Sequence, residues 1–256
     1  MMIAIPRLAF SVTVALLCLT ALAARGTEIR IMAGGPLAAV FKEIGPRFEG
    51  ETGHKLAPRF SGTAVIRKEI DDGEAFDLVV TDARSIDEWI KGGKITSASR
   101  VAVANVGLGV GVRAGHPKPD VTSVDASRRA LLAAATIGHG SESASATSFR
   151  MLLDRLGISE EIKPKLRPMG LGMPYKSVAA GEVEIIVAVV PGIIAAPGIE
   201  LAGTFPPELQ NYVAFAAGIS SSAKAPDAAR ELIRFLATPF AIGVLRSKGL
   251  EAVLQP

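Results

Sequence analysis

The sequence predicts an α/β protein in which short buried strands alternate with amphipathic helices. Two observations lead to this fold class. Of the 256 residues, 49% are hydrophobic but only 5% are aromatic, and such an excess of small aliphatic side chains is typical of parallel strands buried on both faces. Apolar runs of strand length also alternate with segments of helical periodicity from residue 28 onward, which indicates a parallel sheet with crossover helices.

The alternation is clearest in the first third of the chain. Leu37, Phe41 and Ile44 recur at the spacing of one helix face. Pro36 suits the first position of that helix, where its missing N–H costs nothing, and Ser85 is expected to cap the third helix. The predicted strands are 28–32, 54–60 and 76–81, and the predicted helices are 37–48, 64–71 and 85–91.

A second α/β unit follows a long apolar run. Residues 101–112 consist only of Val, Ala, Gly, Leu and one Asn, and a strand of this length can leave one domain and enter the next. The pattern then resumes, and the chain ends with two helices. The predicted helices are 127–134, 148–156, 174–180, 226–237 and 239–248, and the predicted strands or extended segments are 136–138, 165–169, 184–190, 201–205 and 212–219.

Residues 1–24 have the pattern of a cleavable secretory signal peptide. Arg7 precedes an apolar run over 8–23 that ends in Ala-Leu-Ala-Ala. The run is too short for a membrane anchor, which normally needs about 20 apolar residues. Leu17 also stands before Cys18, where a lipoprotein would have a small residue. Cleavage removes Cys18, the only cysteine, so we expect a secreted, periplasmic chain without disulfides.

Composition and spacing exclude several function classes. The formal net charge of +3 permits an anionic ligand, but no basic stripe interleaved with aromatic residues suggests nucleic acid. His54, His116 and His139 lie far apart, so neither a metal nor a cofactor is predicted. Ser141 has His139 and Ser143 at the positions where a nucleophile elbow needs glycine. A binding protein or a hydrolase-like enzyme remains.

Three loops share one arrangement, in which a strand ends, small or hydroxyl-bearing residues follow, and a helix begins. The N–H groups and positive end of a helix can bind an anion there, glycine lets a ligand approach the backbone, and Ser or Thr adds a hydroxyl donor. Ordinary helix capping explains any single loop equally well, but three loops favour a ligand site at the carboxyl ends of the strands. They are Gly34-Gly35-Pro36, Ser61-Gly62-Thr63 and Ser143-Ala144-Ser145-Ala146-Thr147.

Two arginines are expected to face the same cleft, because each follows the end of a strand. Arg67 lies one turn into the helix after Ser61, and Arg84 follows the third strand. A guanidinium group can hold a carboxylate or a phosphate through two parallel hydrogen bonds. Since most arginines are solvated surface residues, that alternative stays open for both.

Five segments carry a resemblance to a known family, namely 61–63, 73–80, 178–185, 225–236 and 248–251. Through them the chain resembles the type II periplasmic solute-binding proteins, most of all the molybdate-binding receptors of ABC transporters. The resemblance implies two α/β lobes with a ligand cleft between them and a monomer that delivers a small anion to a membrane permease. Lobe one would comprise 27–103 with 205–256 and lobe two 111–202, with crossings near 101–112 and 201–205.

The resemblance also implies where the ligand lies. The family holds molybdate with serine hydroxyls, backbone N–H groups and a tyrosine. The first serine falls on the Gly34 loop and the tyrosine near Val189, so both groups are missing and a small carboxylate is an alternative ligand. The predicted ligand-binding residues are Gly34, Gly35, Ser61, Gly62, Thr63, Arg67, Arg84, Ser145, Ala146, Thr147, Leu171 and Gly172.

An enzyme is the second possibility, since a periplasmic aconitate isomerase is similar to this receptor family. Moving a double bond in a tricarboxylate requires a base that takes a proton from a carbon next to a carboxylate, and donors that hold the acid groups. His139, Glu142 and Asp82 are the candidate bases. A receptor for a small anion is the leading interpretation, and no motif that we can name separates the isomerase from a plain receptor.

Overall fold

The computed structural model describes residues 26–141, 144–170 and 172–254, so the predicted signal peptide, Glu142 and Leu171 lie outside the described residues. Two β-sheets with flanking helices confirm the predicted α/β class. The strands are β1 (Glu28–Gly34), β2 (Lys55–Ser61), β3 (Leu78–Asp82), β4 (Val101–Val106), β5 (Leu108–Arg113), β6 (Ile137–Gly140), β7 (Leu166–Met169), β8 (Ile185–Val189), β9 (Ile199–Thr204), β10 (Val213–Ile219) and β11 (Glu251–Ala252). The helices are α1 (Ala38–Thr52), α2 (Thr63–Asp71), α3 (Ala83–Lys91), α4 (Val124–Ala133), α5 (Ala144–Leu156), α6 (Ser159–Ile162), α7 (Met173–Ala180), α8 (Val190–Ala195), α9 (Pro226–Leu236) and α10 (Pro239–Ser247).

The first sheet has the strand order β11-β4-β10-β3-β1-β2. β1 pairs in parallel with β2 on one side and with β3 on the other. β10 returns from the second sheet and pairs antiparallel with both β3 and β4. Because β1, β2 and β3 run in the same direction, their carboxyl ends lie along one edge of this sheet.

The second sheet has the strand order β7-β6-β8-β5-β9. β6 is parallel to β7 and β8, whereas β5 is antiparallel to both β8 and β9. The carboxyl ends of β6, β7 and β8 therefore share one edge of the second sheet.

The described chain passes between the sheets at two places, from β4 to β5 at Gly107 and from β9 to β10 over 205–212. The prediction of one continuous strand over 101–112 is wrong at Gly107. Its carbonyl oxygen accepts a hydrogen bond from the N–H of Val190 at 3.1 Å, so the strand ladder is interrupted where the chain changes sheets.

Both edges with parallel carboxyl ends lie beside these crossings. β5 begins at Leu108, directly after the first crossing, and pairs Leu108 with Val189 at the end of β8. β10 begins at Val213, directly after the second crossing, and pairs Phe215 with Asp82 at the end of β3. The strand ends that precede the predicted ligand loops are therefore brought to the region between the two sheets.

Helices cover both faces of each sheet, which produces four buried clusters. Helices α1, α9 and α10 cover one face of the first sheet, and α2 and α3 cover the other. In the second sheet α4, α5 and α6 cover one face, and α7 and α8 cover the other. The C-terminal helices thus complete the core that the N-terminal strands begin.

The start of α3 differs from the prediction that Ser85 caps it. The helix begins two residues earlier, because Asp82 is the cap: its Oδ1 accepts from the N–H of Ser85 at 2.9 Å and its Oδ2 accepts from Ser85 Oγ at 2.7 Å. Three short elements, α6, α8 and β11, were not predicted. Their 4, 6 and 2 residues are too few to show a period.

Asp77 is a fully buried carboxylate just before β3. The backbone N–H and Nε of Arg30 each donate to Oδ2 at 2.9 Å, and Nη2 donates to Oδ1 at 3.0 Å. The N–H groups of Lys224 and Ala225 donate to Oδ1 at 2.7 and 3.2 Å. Burial alone would raise the pKa of Asp77, but these hydrogen bonds outweigh it and lower the pKa from 3.8 to about 2. One carboxylate thus joins β1, β3 and the start of α9.

We predict that this carboxylate makes the fold sensitive to acid. The pKa of Asp77 is lower in the folded protein than in the unfolded chain. Its contribution to the free energy of unfolding, about 2 kcal/mol, is therefore complete above about pH 4 and is lost as the pH falls toward 2. Asp77→Asn should lower the free energy of unfolding by about 3 kcal/mol at neutral pH, because the Arg30 charge loses its partner. Urea unfolding at pH 7 and near pH 3 measures both effects.

Asp87→Asn is the matched control. Asp87 forms an ion pair with Arg100 but is 47% exposed, so its loss should cost less than about 1 kcal/mol. Equal losses in free energy of unfolding for the two variants would contradict the assignment of Asp77 as the buried anchor.

Candidate anion-binding cleft

The first sheet brings the ends of β1 and β2 together. Gly34 pairs in register with Ser61, so the first two predicted loops are neighbours. α2 begins at Thr63 after an extended Gly62, and no side chain caps it. Thr63 Oγ1 lies 3.5 Å from Oγ1 of the fully buried Thr81. Uncapped N–H groups and hydroxyl groups therefore meet at this edge, as an anion site requires.

The ring of Phe215 packs against Gly34. A Cβ atom at Gly34 would lie only 2.6 Å from Cε1 of this ring, and Phe215 is 5% exposed. A serine hydroxyl at position 34 is therefore excluded unless the ring moves. A Cβ atom at Gly35, in contrast, would meet nothing within 4 Å. The first loop can offer backbone N–H groups beside an aromatic surface.

Arg67 and Arg84 both pair with Glu88. Nη1 of Arg67 forms an ion pair with one Glu88 oxygen, and its Nη2 donates to Ser85 Oγ at 2.8 Å. Nε of Arg84 donates to the other Glu88 oxygen at 3.0 Å, and the Arg84 side chain is 87% exposed. The hydrogen bond to Glu88 raises the pKa of Arg67. Glu88 thus pairs with both arginines, although its single negative charge balances only one of their two positive charges. Contact of either arginine with a ligand stays a prediction.

Of the three candidate bases, His139 has the arrangement that a base needs. Its Nδ1 lies 2.8 Å from the carbonyl oxygen of Gly140. Since a carbonyl can only accept, Nδ1 carries the proton of the neutral ring and Nε2 has the lone pair. The ring packs against Phe149, with the centroids 5.4 Å apart. Asp82, in contrast, uses both oxygens to cap α3, and Glu142 lies outside the described residues.

The third predicted loop leads into α5, whose first turn contains Ser145, Ala146 and Thr147. Ala146 is buried, Thr147 is exposed and Ser145 is intermediate. Ser148 Oγ donates to the carbonyl oxygen of Asn211 in the second crossing at 3.0 Å. This bond places the start of α5 beside the crossing, on the side where β1 and β2 end.

Tyr175 is a candidate that sequence reasoning missed. It lies in the first turn of α7, after Gly172, whose φ of 76° starts the helix. A Cβ atom at Gly192 in α8 would lie 2.2 Å from the Tyr175 hydroxyl, so only glycine admits this close approach. Burial raises the pKa of Tyr175, which keeps the hydroxyl protonated and able to donate.

Among the described residues, none forms a hydrogen bond with that hydroxyl group. The family's tyrosine was expected near Val189, but Val189 packs against the cores of both sheets. A tyrosine inside a predicted helix gives no sequence signal that its hydroxyl reaches the neighbouring helix. The phenol near this edge therefore comes from α7 and not from the end of β8.

The described residues contain neither a membrane-spanning helix nor a cluster of metal-ligating side chains. Within them, no helix has both the length and the apolar character needed to cross a membrane. They also contain no group of three or more His, Cys, Asp or Glu side chains that could hold a metal ion. The groups that gather at the two strand edges are instead hydroxyl and N–H donors.

Two α/β units joined by two crossings, with helix starts at the edges between them, define the class of two-lobed periplasmic binding proteins. The chain belongs to the bacterial extracellular solute-binding protein family, whose model matches residues 29–251.

Solved structures support the fold. The chain is similar to the substrate-binding domain of a putative molybdenum ABC transporter from Clostridium difficile, with a TM-score of 0.75 and 15% identity over 89% of this chain and 100% of that one. It is also similar to the periplasmic molybdate-binding protein of Azotobacter vinelandii, with a TM-score of 0.70 and 16% identity over 88% of this chain and 98% of that one. These likenesses establish the two-lobed type II fold.

A curated relative is named as an enzyme. The chain is 27% identical over 232 residues to an aconitate isomerase from Pseudomonas sp, which covers 89% of this chain and 88% of the relative.

We predict that the Tyr175 hydroxyl donates to a bound anion. Tyr175→Phe keeps the ring but removes the donor, so it should weaken anion binding by about 1–2 kcal/mol with little change in stability. The control is Thr52→Val, which removes a hydroxyl group from the last turn of α1, where Thr52 donates to the carbonyl oxygen of Phe48 at 2.8 Å, and should not affect binding. Calorimetric titration compares the variants; equal affinities of Tyr175→Phe and the native protein would remove Tyr175 from the site.

Proposed function

We propose that the protein binds a small anion between its lobes and acts in the periplasm as the solute receptor of an ABC-type uptake system. The observation that carries this proposal is the convergence of the carboxyl ends of β1–β3 and β6–β8 beside the crossings. In this role it would deliver the anion to a membrane permease. Family membership supports this role, since the family comprises extracellular solute-binding proteins.

Neutral donors would supply most of the binding energy. Ser61, Thr63 and the uncapped first turn of α2 offer hydroxyl and N–H groups from the first sheet. Ser145 and Tyr175 offer hydroxyl groups from the second. Hydrogen bonds from neutral donors to an ionised oxygen are strong in a cleft that excludes water, so an anion can be held without a free arginine.

The structure supports two chemical classes of anion, for different reasons. The pairing of Arg67 and Arg84 with Glu88 favours a compact oxyanion, because neither arginine is left unpaired to compensate several carboxylates. The absence of hydroxyl donors at Gly34 and Val189 favours a small carboxylate, because fewer donors remain to surround a compact oxyanion. Likeness to molybdate-binding proteins supports the first class, and likeness to an aconitate isomerase supports the second.

The test is a calorimetric screen of the native protein with molybdate, tungstate, sulfate, phosphate, citrate and both aconitates. Ser61→Ala and Thr63→Ala should each weaken binding of whichever anion the native protein binds, by about 1–2 kcal/mol. Ser123→Ala is the control, because Ser123 caps α4 by accepting from the N–H of Ala126 at 3.1 Å.

Loss of that cap should cost about 1 kcal/mol of stability but no affinity. Failure of every anion to bind the native protein would contradict the receptor proposal. Binding that both single variants leave unchanged would remove the α2 loop from the site.

A second candidate function is isomerisation of an aconitate-like tricarboxylate. Likeness to the aconitate isomerase and the lone pair on His139 Nε2 favour it. In this reaction Nε2 takes a proton from the methylene carbon next to a carboxylate. The electron pair spreads through the adjoining double bond, and the proton returns to the carbon at its far end. Atoms and electrons balance without a cofactor.

The prediction for this activity is conversion of trans-aconitate, followed by ultraviolet absorbance. His139→Gln keeps a polar side chain but no comparable base, so kcat should fall by about 100-fold or more. His116→Gln is the control, because His116 is exposed and follows the end of β5. Since β5 runs antiparallel to β8, this end lies at the opposite edge of the sheet from the carboxyl ends of β6–β8. Absence of turnover by the native protein would end this second proposal and leave the receptor proposal intact.

A further inference from the structure

Gln210 joins the two crossings between the sheets. Its side chain is in the second crossing and is 6% exposed. Oε1 accepts from the N–H of Leu108 at 2.8 Å, and Nε2 donates to the carbonyl oxygens of Leu108 at 2.8 Å and Phe205 at 3.0 Å. The Gln210 amide thus forms with the backbone of Leu108 the hydrogen bonds that a neighbouring strand would form, at the point where the chain leaves the first sheet.

The backbone of the same segment is tied to the second sheet. Nη1 of Arg155 in α5 donates to the carbonyl oxygen of Gln210 at 2.6 Å. Ser148, also in α5, donates to the carbonyl oxygen of Asn211 at 3.0 Å. The second crossing is therefore fixed against α5, and its Gln210 amide holds the first crossing in turn.

The first crossing continues this connection to the edge of the proposed cleft. The carbonyl oxygen of Gly107 accepts from the N–H of Val190, the first residue after β8. A Cβ atom at Gly107 would lie 3.1 Å from Cδ, Nε2 and Oε1 of Gln210, so the amide packs directly on this peptide. A shift of the amide would therefore move Gly107 and, through it, the carboxyl end of β8.

Open space lies beside this connection, between the two units. A cavity of about 590 Å³ is bounded by Gly107 and Gln210, by α8 and β9 of the second sheet, and by 249–252 of the first. Beside the cavity the two units touch where Gly249 faces α8, because a Cβ atom at Gly249 would lie 2.7 Å from Val190 Cγ1 and 2.8 Å from Ile194 Cδ1. The relative angle of the lobes therefore depends on this contact, on the two crossings and on the bonds that join them.

We infer that Gln210 is the positioning residue of the hinge: it sets the angle between the lobes and, through Gly107 and Val190, the spacing of the donors on the two sides of the cleft. This inference takes the lobes to be 27–103 with 205–256 and 111–202, and its consequence for affinity rests on the proposed function. Gln210 itself does not contact the ligand. It acts by holding Leu108, Phe205 and Gly107 in one arrangement.

The experiment measures the distance between the lobes with spin labels in the full chain. Cys18→Ser removes the only native thiol, and labels are attached at Lys68→Cys and Glu160→Cys, whose side chains are 77% and 84% exposed. Gln210→Met keeps the size of the side chain but removes its three hydrogen bonds. The ligand-free distance distribution should broaden or shift, and the affinity for the anion found in the screen should fall about fivefold or more.

Ser127→Ala is the matched control for loss of a buried polar group. Ser127 is fully buried and donates to the carbonyl oxygen of Val121 at 3.1 Å, within the second lobe. It should lower stability but leave the lobe distance and the affinity unchanged. Gly107→Ala is the second test variant, because its new methyl group presses on the same amide without removing it, and it should alter the distance distribution in the same way.

The outcomes separate the hinge from the proposed function. An altered ligand-free distance in Gln210→Met or Gly107→Ala, with none in Ser127→Ala, supports the hinge role even if no anion binds. A native distance distribution in both test variants overturns it, whatever the screen finds. A native distribution in Gly107→Ala also overturns it if Gln210→Met does not fold.

Discussion

The two crossings between the sheets are the constraint on which the rest of this structure depends. β5 and β10 each begin directly after a crossing and run antiparallel to β8 and β3. Each pairing brings the carboxyl end of a parallel strand to the crossing. Because every parallel strand of a sheet ends at the same edge, two local pairings suffice to gather six strand ends between the lobes. The helix starts that follow these strands therefore face a shared space without any direct sequence relation to one another.

Charge is compensated locally, and this leaves neutral groups at the strand ends. Asp77 is paired with Arg30 and three backbone N–H groups, while Glu88 takes both Arg67 and Arg84. A buried charge without a partner would be costly, and these pairs avoid that cost in the unliganded protein. Neutral hydroxyl and N–H donors do not have the cost of a buried unpaired charge when no ligand is bound. A receptor that must release its ligand benefits from this arrangement, since the unliganded site needs no counter-ion.

Periodicity and turn chemistry were sufficient to predict most strands and helices and the α/β class. They were also sufficient to select the loops at the strand ends, because the parallel order of β1, β2 and β3 follows from the βαβ alternation. What they could not predict are contacts between residues far apart in the chain. The ring of Phe215 against Gly34, the amide of Gln210 on Leu108 and the Lys224 N–H on Asp77 each depend on the return of the second half of the chain to the first sheet.

The same reason explains the incorrect continuous strand over 101–112 and the contacts that were not predicted. An apolar run such as 101–112 has the same pattern whether its strand is continuous or changes sheets, and only the bond from Val190 to Gly107 distinguishes the two. Arg67 has a strand end behind it in sequence, yet its partner Glu88 comes from the next helix. Tyr175 reaches α8 because Gly192 lacks a side chain, and neither residue alone indicates that contact.

Receptor and isomerase would use the same cleft, and they differ in what the ligand must find there. A receptor needs donors around every ionised oxygen, whereas an isomerase also needs one lone pair directed at a carbon atom. The start of α2 can hold acid groups but supplies no base, because Ser61, Thr63 and the first-turn N–H groups have no basic site, and the nearby Asp82 already accepts from Ser85 with both oxygens. His139 supplies a lone pair on the second sheet, where its Nδ1 proton is fixed by Gly140. In catalysis the two sheets would therefore have different roles: the first would hold the acid groups of the substrate, and the second would move the proton. Closure of the lobes would bring the acid-binding groups and His139 together around one ligand.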